Sequence, residues 1–135
     1  MSGLEFEAEI GAGDAEAEEL ASRLRAWLAR NLGAADRFAV ELLCREAVAN
    51  AVRHGCGSDS SKRVRLRLEL RAGLLSGSIE DEGEGFTPSI KAALFDLKRE
   101  GGGLGLAIIS HYADRISLVE GGRVIRFDRR LTGGI

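Results

Sequence analysis

The chain has 135 residues, enough for one domain with a real hydrophobic core. Hydrophobic residues make up 44% and charged residues 30%, the balance of a soluble globular protein. A formal net charge of −2 argues against nucleic acid as the main ligand, because binding a phosphate backbone needs a basic excess, and no apolar run approaches the about 18–20 residues of a membrane helix.

The opening residues, MSGLEFEAEI, lack the basic start and apolar core of a signal peptide. Cys44 and Cys56 do not make a disulfide framework, and Cys44 reads as a small core residue. A metal site from Cys56 and His54 lacks further ligands. The compartment expected from these features is the cytoplasm.

Leu4, Phe6, Ala8 and Ile10 alternate with Glu5, Glu7 and Glu9, which predicts a strand with one wet face. Gly11-Ala12-Gly13 breaks it, Asp14 is the expected N-cap of a helix over Ala15 to Leu32, and Gly33 is its expected stop. A second helix starts near Ala35 or Asp36 and runs to His54, with Gly55 as its end. After a polar loop, Val64, Leu66, Leu68 and Leu70 alternate with Arg63, Arg65, Arg67, Glu69 and Arg71, the pattern of a half-buried strand. Ala72-Gly73 turns the chain into a hairpin partner, Leu74 to Ile79, which the run Asp81 to Gly85 closes. Weak helical spacing follows from Pro88 to Glu100, then a helix over Leu104 to Tyr112. Ile116 and Leu118 form a strand, Gly121-Gly122 a tight turn, and Val124 to Arg129 the last strand, with Ile125 and Phe127 on one face. Residues from Thr132 onward read as a frayed tail. This order predicts a single-domain α/β sandwich over 1–135: one mixed, mostly antiparallel sheet with helices on one face.

Three stretches carry chemistry. In ELLCREAVANAVRHG, Glu41 to Gly55, the apolar residues follow the helical period, and Glu46 and Asn50 stand one turn apart on a neighbouring face. A carboxylate and a carboxamide stacked this way can share a metal ion and its waters, although such a pair taken alone is more often a solvated surface. In DEGEGF, an Asp at a strand end precedes alternate glycines that let the backbone pass close to a flat ring; taken alone it is more often a plain acidic turn. In GGGLGL, Gly101 to Leu106, glycines lead into a helix whose exposed N–H groups make an anion site; alone it is equally a flexible loop.

Together these stretches resemble the three nucleotide-binding boxes of the GHKL ATPase superfamily, and the wording EAVANAVRHG / EDEGEGF / GGGLGLAII is similar to that of the bacterial anti-sigma factor serine/threonine kinases. The resemblance runs from about Glu41 to Phe127 and implies the two-layer Bergerat-type sandwich. It implies that Asn50 coordinates Mg²⁺, that Glu46 is a general base toward a serine hydroxyl or a water, and that Asp81 reads the adenine amino group. By the same resemblance Gly83 and Gly85 flank the nucleotide, and Gly103, Leu104 and Gly105 bring backbone amides to the phosphates. His54 and His111 read as structural.

Two positions depart from the pattern. Where relatives carry a Thr-Thr pair in the last strand, this chain has Gly122-Arg123-Val124-Ile125, which puts Val124 at the adenine-facing position. The arginine often found before the second glycine box is replaced by Gly101 or Gly102, with Arg99 as the candidate substitute. The expected activity is ATP–Mg²⁺-dependent phosphorylation of a small anti-anti-sigma (STAS) partner, coupled to sequestration of a sigma factor or other regulator, in a homodimer with no direct nucleic-acid or membrane contact. The rivals are a nucleotide-holding module without phosphotransfer and a detached histidine-kinase ATPase domain. The latter needs a phosphoacceptor helix, and Ala15 to Leu32 contains no histidine.

Overall fold

In the computed structural model, residues 4–56, 59, 61–82, 104–119 and 123–132 are described, with side chains of 54, 55 and 104–107 excepted. The elements are β1 (Leu4–Gly11), α1 (Asp14–Asn31), α2 (Ala34–Asn50), a π-helical turn (Ala51–Gly55), β2 (Arg63–Arg71), β3 (Leu74–Asp81), α3 (Leu104–Tyr112), β4 (Arg115–Val119) and β5 (Val124–Arg130). The strands form one five-stranded sheet in the order β1-β2-β3-β5-β4. Every described pairing is antiparallel.

Alternation decides the two faces of the sheet. Ala8, Ile10, Val64, Leu66, Leu68, Leu75, Ile79, Ile125 and Phe127 are buried and point to the helices. Arg63, Arg65 and Arg67 stand on the opposite, wet face, as the pattern predicts. There Glu9 meets Arg63 at 3.2 Å and Arg65 at 2.8 Å. Hydrogen bonds from Arg65 and Arg63 hold the Glu9 carboxyl below its usual range.

The helices cover the inner face in a single layer. α1 packs on β1 and on α2, α2 packs on α3, and α3 approaches β4. Leu20, Leu24 and Leu28 of α1 and Val40, Leu43, Ala47 and Val48 of α2 join the sheet residues in one core. The Phe6 and Trp27 rings, 5.8 Å apart, close its β1 end.

Four local expectations change. Asp14 is the first residue of α1, not its cap: extended Gly13 (φ −131°) is the N-cap, and Asp14 and Glu16 instead complement the positive end of the helix. Leu32 is the extended C-cap of α1, and Gly33 (φ −74°) is the N-cap of α2, which starts at Ala34, one residue before the predicted boundary. The second helix is α-helical only to Asn50, after which it widens into the π turn, with Cys56 N–H donating to the Ala51 carbonyl at 2.8 Å. Thr132 is held rather than frayed, because its N–H and hydroxyl both donate to Asp36. The turn at Ala72-Gly73 is as expected, with φ of +52° and +80°. The helical spacing of Pro88 to Glu100 and the turn at Gly121-Gly122 lie outside the described residues.

Gly77, in the middle of β3, pairs with Leu68 and Phe127. A methyl group there would collide with the Phe127 ring and come within 2.8 Å of Leu68 Cδ2. Since Phe127 is buried in the core, Gly77→Ala is expected to destabilise the fold by about 1–3 kcal/mol, measured as a lower urea midpoint with an unchanged slope.

Candidate nucleotide site

α2 buries an apolar face and carries polar groups toward its C-terminal end. Val40, Leu43, Cys44, Ala47 and Val48 face the core, and Glu46, one turn before Asn50, is half-buried. Asn50 is the last residue of the α-helical part and only 3% exposed. Its Nδ2 is buried with no hydrogen-bond partner among the described residues. Leaving such a donor unsatisfied costs about 1–3 kcal/mol. A half-turn of the amide exchanges nitrogen for oxygen, so this position can offer a donor to a phosphate or an acceptor to a cation.

The π turn that follows Asn50 packs against β3, whose last residue is Asp81. Asp81 pairs with Val64 and so points to the helix side; it is 3% exposed. Its backbone N–H donates to the Arg123 carbonyl at 3.0 Å, and Glu82 closes the strand end through its N–H to the Arg63 carbonyl at 3.1 Å. A carboxylate is thus held at the mouth of the sheet, under the helix layer, on the element against which the Asn50 end of α2 rests.

α3 supplies the third side. Its last residue, Tyr112, lies edge-on to Phe38 near the start of α2, with ring centroids 6.2 Å apart, and the two helices pack along each other. α3 therefore runs antiparallel to α2. Its nine residues climb about 12 Å, the same rise as from Phe38 to Glu46, so its N-terminus comes up toward the Glu46–Asn50 end. Leu104 and Gly105 are its first two residues.

The structure thus gathers Glu46, Asn50, Asp81 and the start of α3 at one end of the helix layer. Gly83, Gly85, Arg99, Gly101, Gly102 and Gly103 lie outside the described residues, as does the side chain of His54. His111 is exposed and stacks edge-on against Tyr112 at 4.7 Å. Cys44 is buried and its thiol is pushed up by burial, which keeps it unreactive.

One assignment is corrected. Val124 pairs with Glu80 and Val119, so it lies on the sheet face opposite to that of Asp81, where it is itself buried. On the Asp81 face stand Ile125 of β5, opposite Ile79, and, just before the strand, Arg123, whose carbonyl accepts from the Asp81 N–H. A shift of one residue reverses the face, and the alternation of this short strand does not by itself settle the register.

A groove of about 250 Å³ between α1 and α2 is a feature that the sequence did not disclose. Its floor is apolar, with Leu20, Leu24, Val48 and Val52, and Glu46, Arg45 and Arg53 border it. Asn50 and Asp81 are not among its lining residues. Arg45 also reaches across to Glu18 of α1 at 3.2 Å.

Among the described residues no cluster of three or more His, Cys, Asp or Glu gathers to hold a metal ion. A Mg²⁺ ion at Asn50 would rely on that one protein oxygen together with phosphate oxygens and waters, a common arrangement for this ion. The Asn50 amide, whose Nδ2 has no partner among the described residues, can turn its oxygen to that role.

The elements form a small α/β domain with a one-sided helix layer and a buried Asn/Asp pair at one end of it. The model of the histidine kinase-like ATPase domain matches residues 11–129, and the chain belongs to that family. No curated protein matches it. Among solved structures, the RsbU and RsbW domains of Rv1364c from Mycobacterium tuberculosis match over 95% of this chain and 32% of that one, at 19% identity and a TM-score of 0.68. The histidine kinase domain of the Erythrobacter litoralis EL346 blue-light activated histidine kinase matches over 90% of this chain and 61% of that one, at 21% identity and a TM-score of 0.58. The chain thus spans about a third and three fifths of these two structures, and the likeness is one of fold. In the described residues no helix is long and apolar enough to cross a membrane.

If the Asn50 amide is kept for a ligand rather than for the fold, removing it costs the fold little. Asn50→Ala is expected to stay within about 1 kcal/mol of the parent stability, the lost contacts being offset by relief of the unsatisfied donor; chemical denaturation checks this.

Proposed function

We propose that this protein binds Mg-ATP between the end of α2, the end of β3 and the start of α3, and transfers the γ-phosphoryl group to a serine or threonine of a protein partner. The observation that carries the reading is the buried Nδ2 of Asn50, without a hydrogen-bond partner among the described residues, one turn from half-buried Glu46 and against the strand that ends in buried Asp81. Family membership supports an adenine nucleotide as the ligand.

On this reading Asp81 accepts a hydrogen bond from the adenine amino group, and Asn50 holds Mg²⁺. The glycines Gly83 and Gly85 flank the nucleotide. The backbone amides of Gly103, Leu104 and Gly105 meet the phosphates at the positive end of α3, and Arg99 adds charge there. When bound, Mg²⁺ neutralises phosphate charge. Glu46 takes the proton of the acceptor hydroxyl as its oxygen bonds to the γ-phosphorus; the bond from that phosphorus to the β–γ bridging oxygen breaks, and ADP leaves. The groove beside Glu46 gives a protein side chain a way to reach this carboxylate.

The sequence resemblance to anti-sigma factor kinases supports a small anti-anti-sigma (STAS) protein as the acceptor and a sigma factor or other regulator as the sequestered partner. It also supports a homodimer working in the cytoplasm. A pull-down with and without ATP and ADP, followed by phosphosite mapping on the captured protein, tests the partner assignment.

The chemical roles are separable. Glu46→Gln is expected to keep Mg-ATP affinity and lose phosphotransfer by about 10²–10⁴-fold in a single-turnover assay, the usual contribution of a general base. Transfer at the parent rate would remove Glu46 from the mechanism and leave a nucleotide-holding module. Asp81→Asn is expected to weaken ATP and leave weak GTP binding unchanged in calorimetry, because a carboxamide can turn a donor toward the adenine amine. Equal loss for both nucleotides would count against a base contact.

A further inference from the structure

At the end of α2 remote from Asn50, a second polar group is buried. Asp36, in the first turn of α2, is 1% exposed. It accepts hydrogen bonds from Arg129 Nη2 at 3.1 Å, from the Thr132 N–H at 3.1 Å and from the Thr132 hydroxyl at 3.0 Å. Arg129 lies in β5 with its side chain 14% exposed, and its Nη1 donates to the carbonyl oxygen of Tyr112, the last residue of α3, at 2.8 Å. One guanidinium therefore ties the first turn of α2 to the last turn of α3, and the Phe38–Tyr112 contact lies beside this tie.

We propose that the Asp36–Arg129 clasp is a positioning device for the phosphate end of the nucleotide site. The proposal rests on the reading that the start of α3 meets the phosphates. The link through Ala113 and Asp114 fixes where α3 ends over the sheet, with Asp114 N–H donating to the Asp128 carbonyl at 2.8 Å. The clasp fixes that same end to α2. Because α3 is a short, stiff rod, its direction from this anchored end sets where its first amides lie beside Glu46 and Asn50. Helix-end attraction for an anion falls off within one turn, so a small swing of the rod changes what the phosphates feel. Asp81 is on β3 and takes no part in this lever. A pair some 20 Å along α2 from Asn50 thus acts on the phosphates and leaves base recognition alone.

The geometry of the guanidinium matters as much as its charge. Its planar fork spans two acceptors at once, whereas an ammonium is a single point of charge. Arg129→Lys keeps a cation beside Asp36 and loses the bridge to Tyr112. Arg129→Gln also removes the charge beside Asp36; if that variant does not fold, Arg129→Lys carries the test.

Folding of each variant is checked by circular dichroism. Mg-ATP and adenosine are then titrated separately by calorimetry, and amide hydrogen exchange is followed in the ligand-free protein. Arg129→Lys is expected to weaken Mg-ATP by about tenfold, the scale of a helix-end charge interaction, with adenosine affinity unchanged. The α3 amides are expected to exchange faster while those of α1 keep their protection. Unchanged Mg-ATP affinity in the folded variant, equal losses for both ligands, or unchanged α3 protection would overturn the clasp as a positioning device. A parent protein that bound neither ligand would overturn the nucleotide reading, and the clasp's role toward phosphates with it.

Discussion

The burial of α2 is the constraint on which the remaining structure depends. Its apolar residues face the core, α1 lies on one flank and α3 on the other. Burying this face supplies the nonpolar contacts that a domain of this size needs to outweigh chain entropy. The sheet answers with an inner face of small and branched residues, and Gly77 leaves the space that the Phe127 ring fills. A helix enclosed in this way cannot place polar groups freely. Each one must face a gap between neighbours, find a partner inside, or wait for one from outside.

Asp36 and Asn50 show the last two solutions at opposite ends of one helix. Asp36 is met by an arginine, a backbone amide and a hydroxyl, and its charge sits in the first turn, where the helix favours an anion. Asn50 keeps a buried donor with no partner among the described residues. A fold gains nothing from an unsatisfied amide, since an apolar residue of similar shape would remove the cost. Arg129 Nε, beside the Asp36 contact, is also buried without a partner among the described residues, so an orphaned atom alone does not mark a site; on the proposed reading the Asn50 amide is completed by the ligand. The π turn after Asn50 adds to this contrast, because such local widening of a helix is frequent at functional sites.

What the sequence disclosed follows from which forces are local. Alternation in Arg63 to Arg71 marked a strand and its wet face, and Ala72-Gly73 marked the turn. The spacing of Glu46 and Asn50 and the place of Asp81 at a strand end were legible for the same reason: helix and strand periods act over a few residues. Helix starts were less legible, since Gly13 and Gly33 cap through backbone conformation alone, without a side-chain hydrogen bond to betray them. The face of Val124 depends on register with Glu80, far away in sequence, and the anchoring of Thr132 depends on Asp36, farther still. The groove between α1 and α2 arises only when two helices meet.

The distribution of exposure divides the labour that the proposed reaction requires. A nucleotide is held by groups shielded from water, because a hydrogen bond to adenine or a charge beside phosphate gains strength when solvent is excluded. Asn50 and Asp81 are so shielded. A general base toward a protein hydroxyl has the opposite need: it must be reached by a side chain that arrives with another folded molecule. Glu46 is half-buried, one turn from Asn50, and borders an open groove that the two buried residues do not line. On the wet sheet face, by contrast, Glu9, Arg63 and Arg65 satisfy one another across neighbouring strands. On the proposed reading, an acceptor protein that donates its hydroxyl to Glu46 would approach over the helices rather than over the sheet, because the groove between α1 and α2 is where that carboxylate is reached.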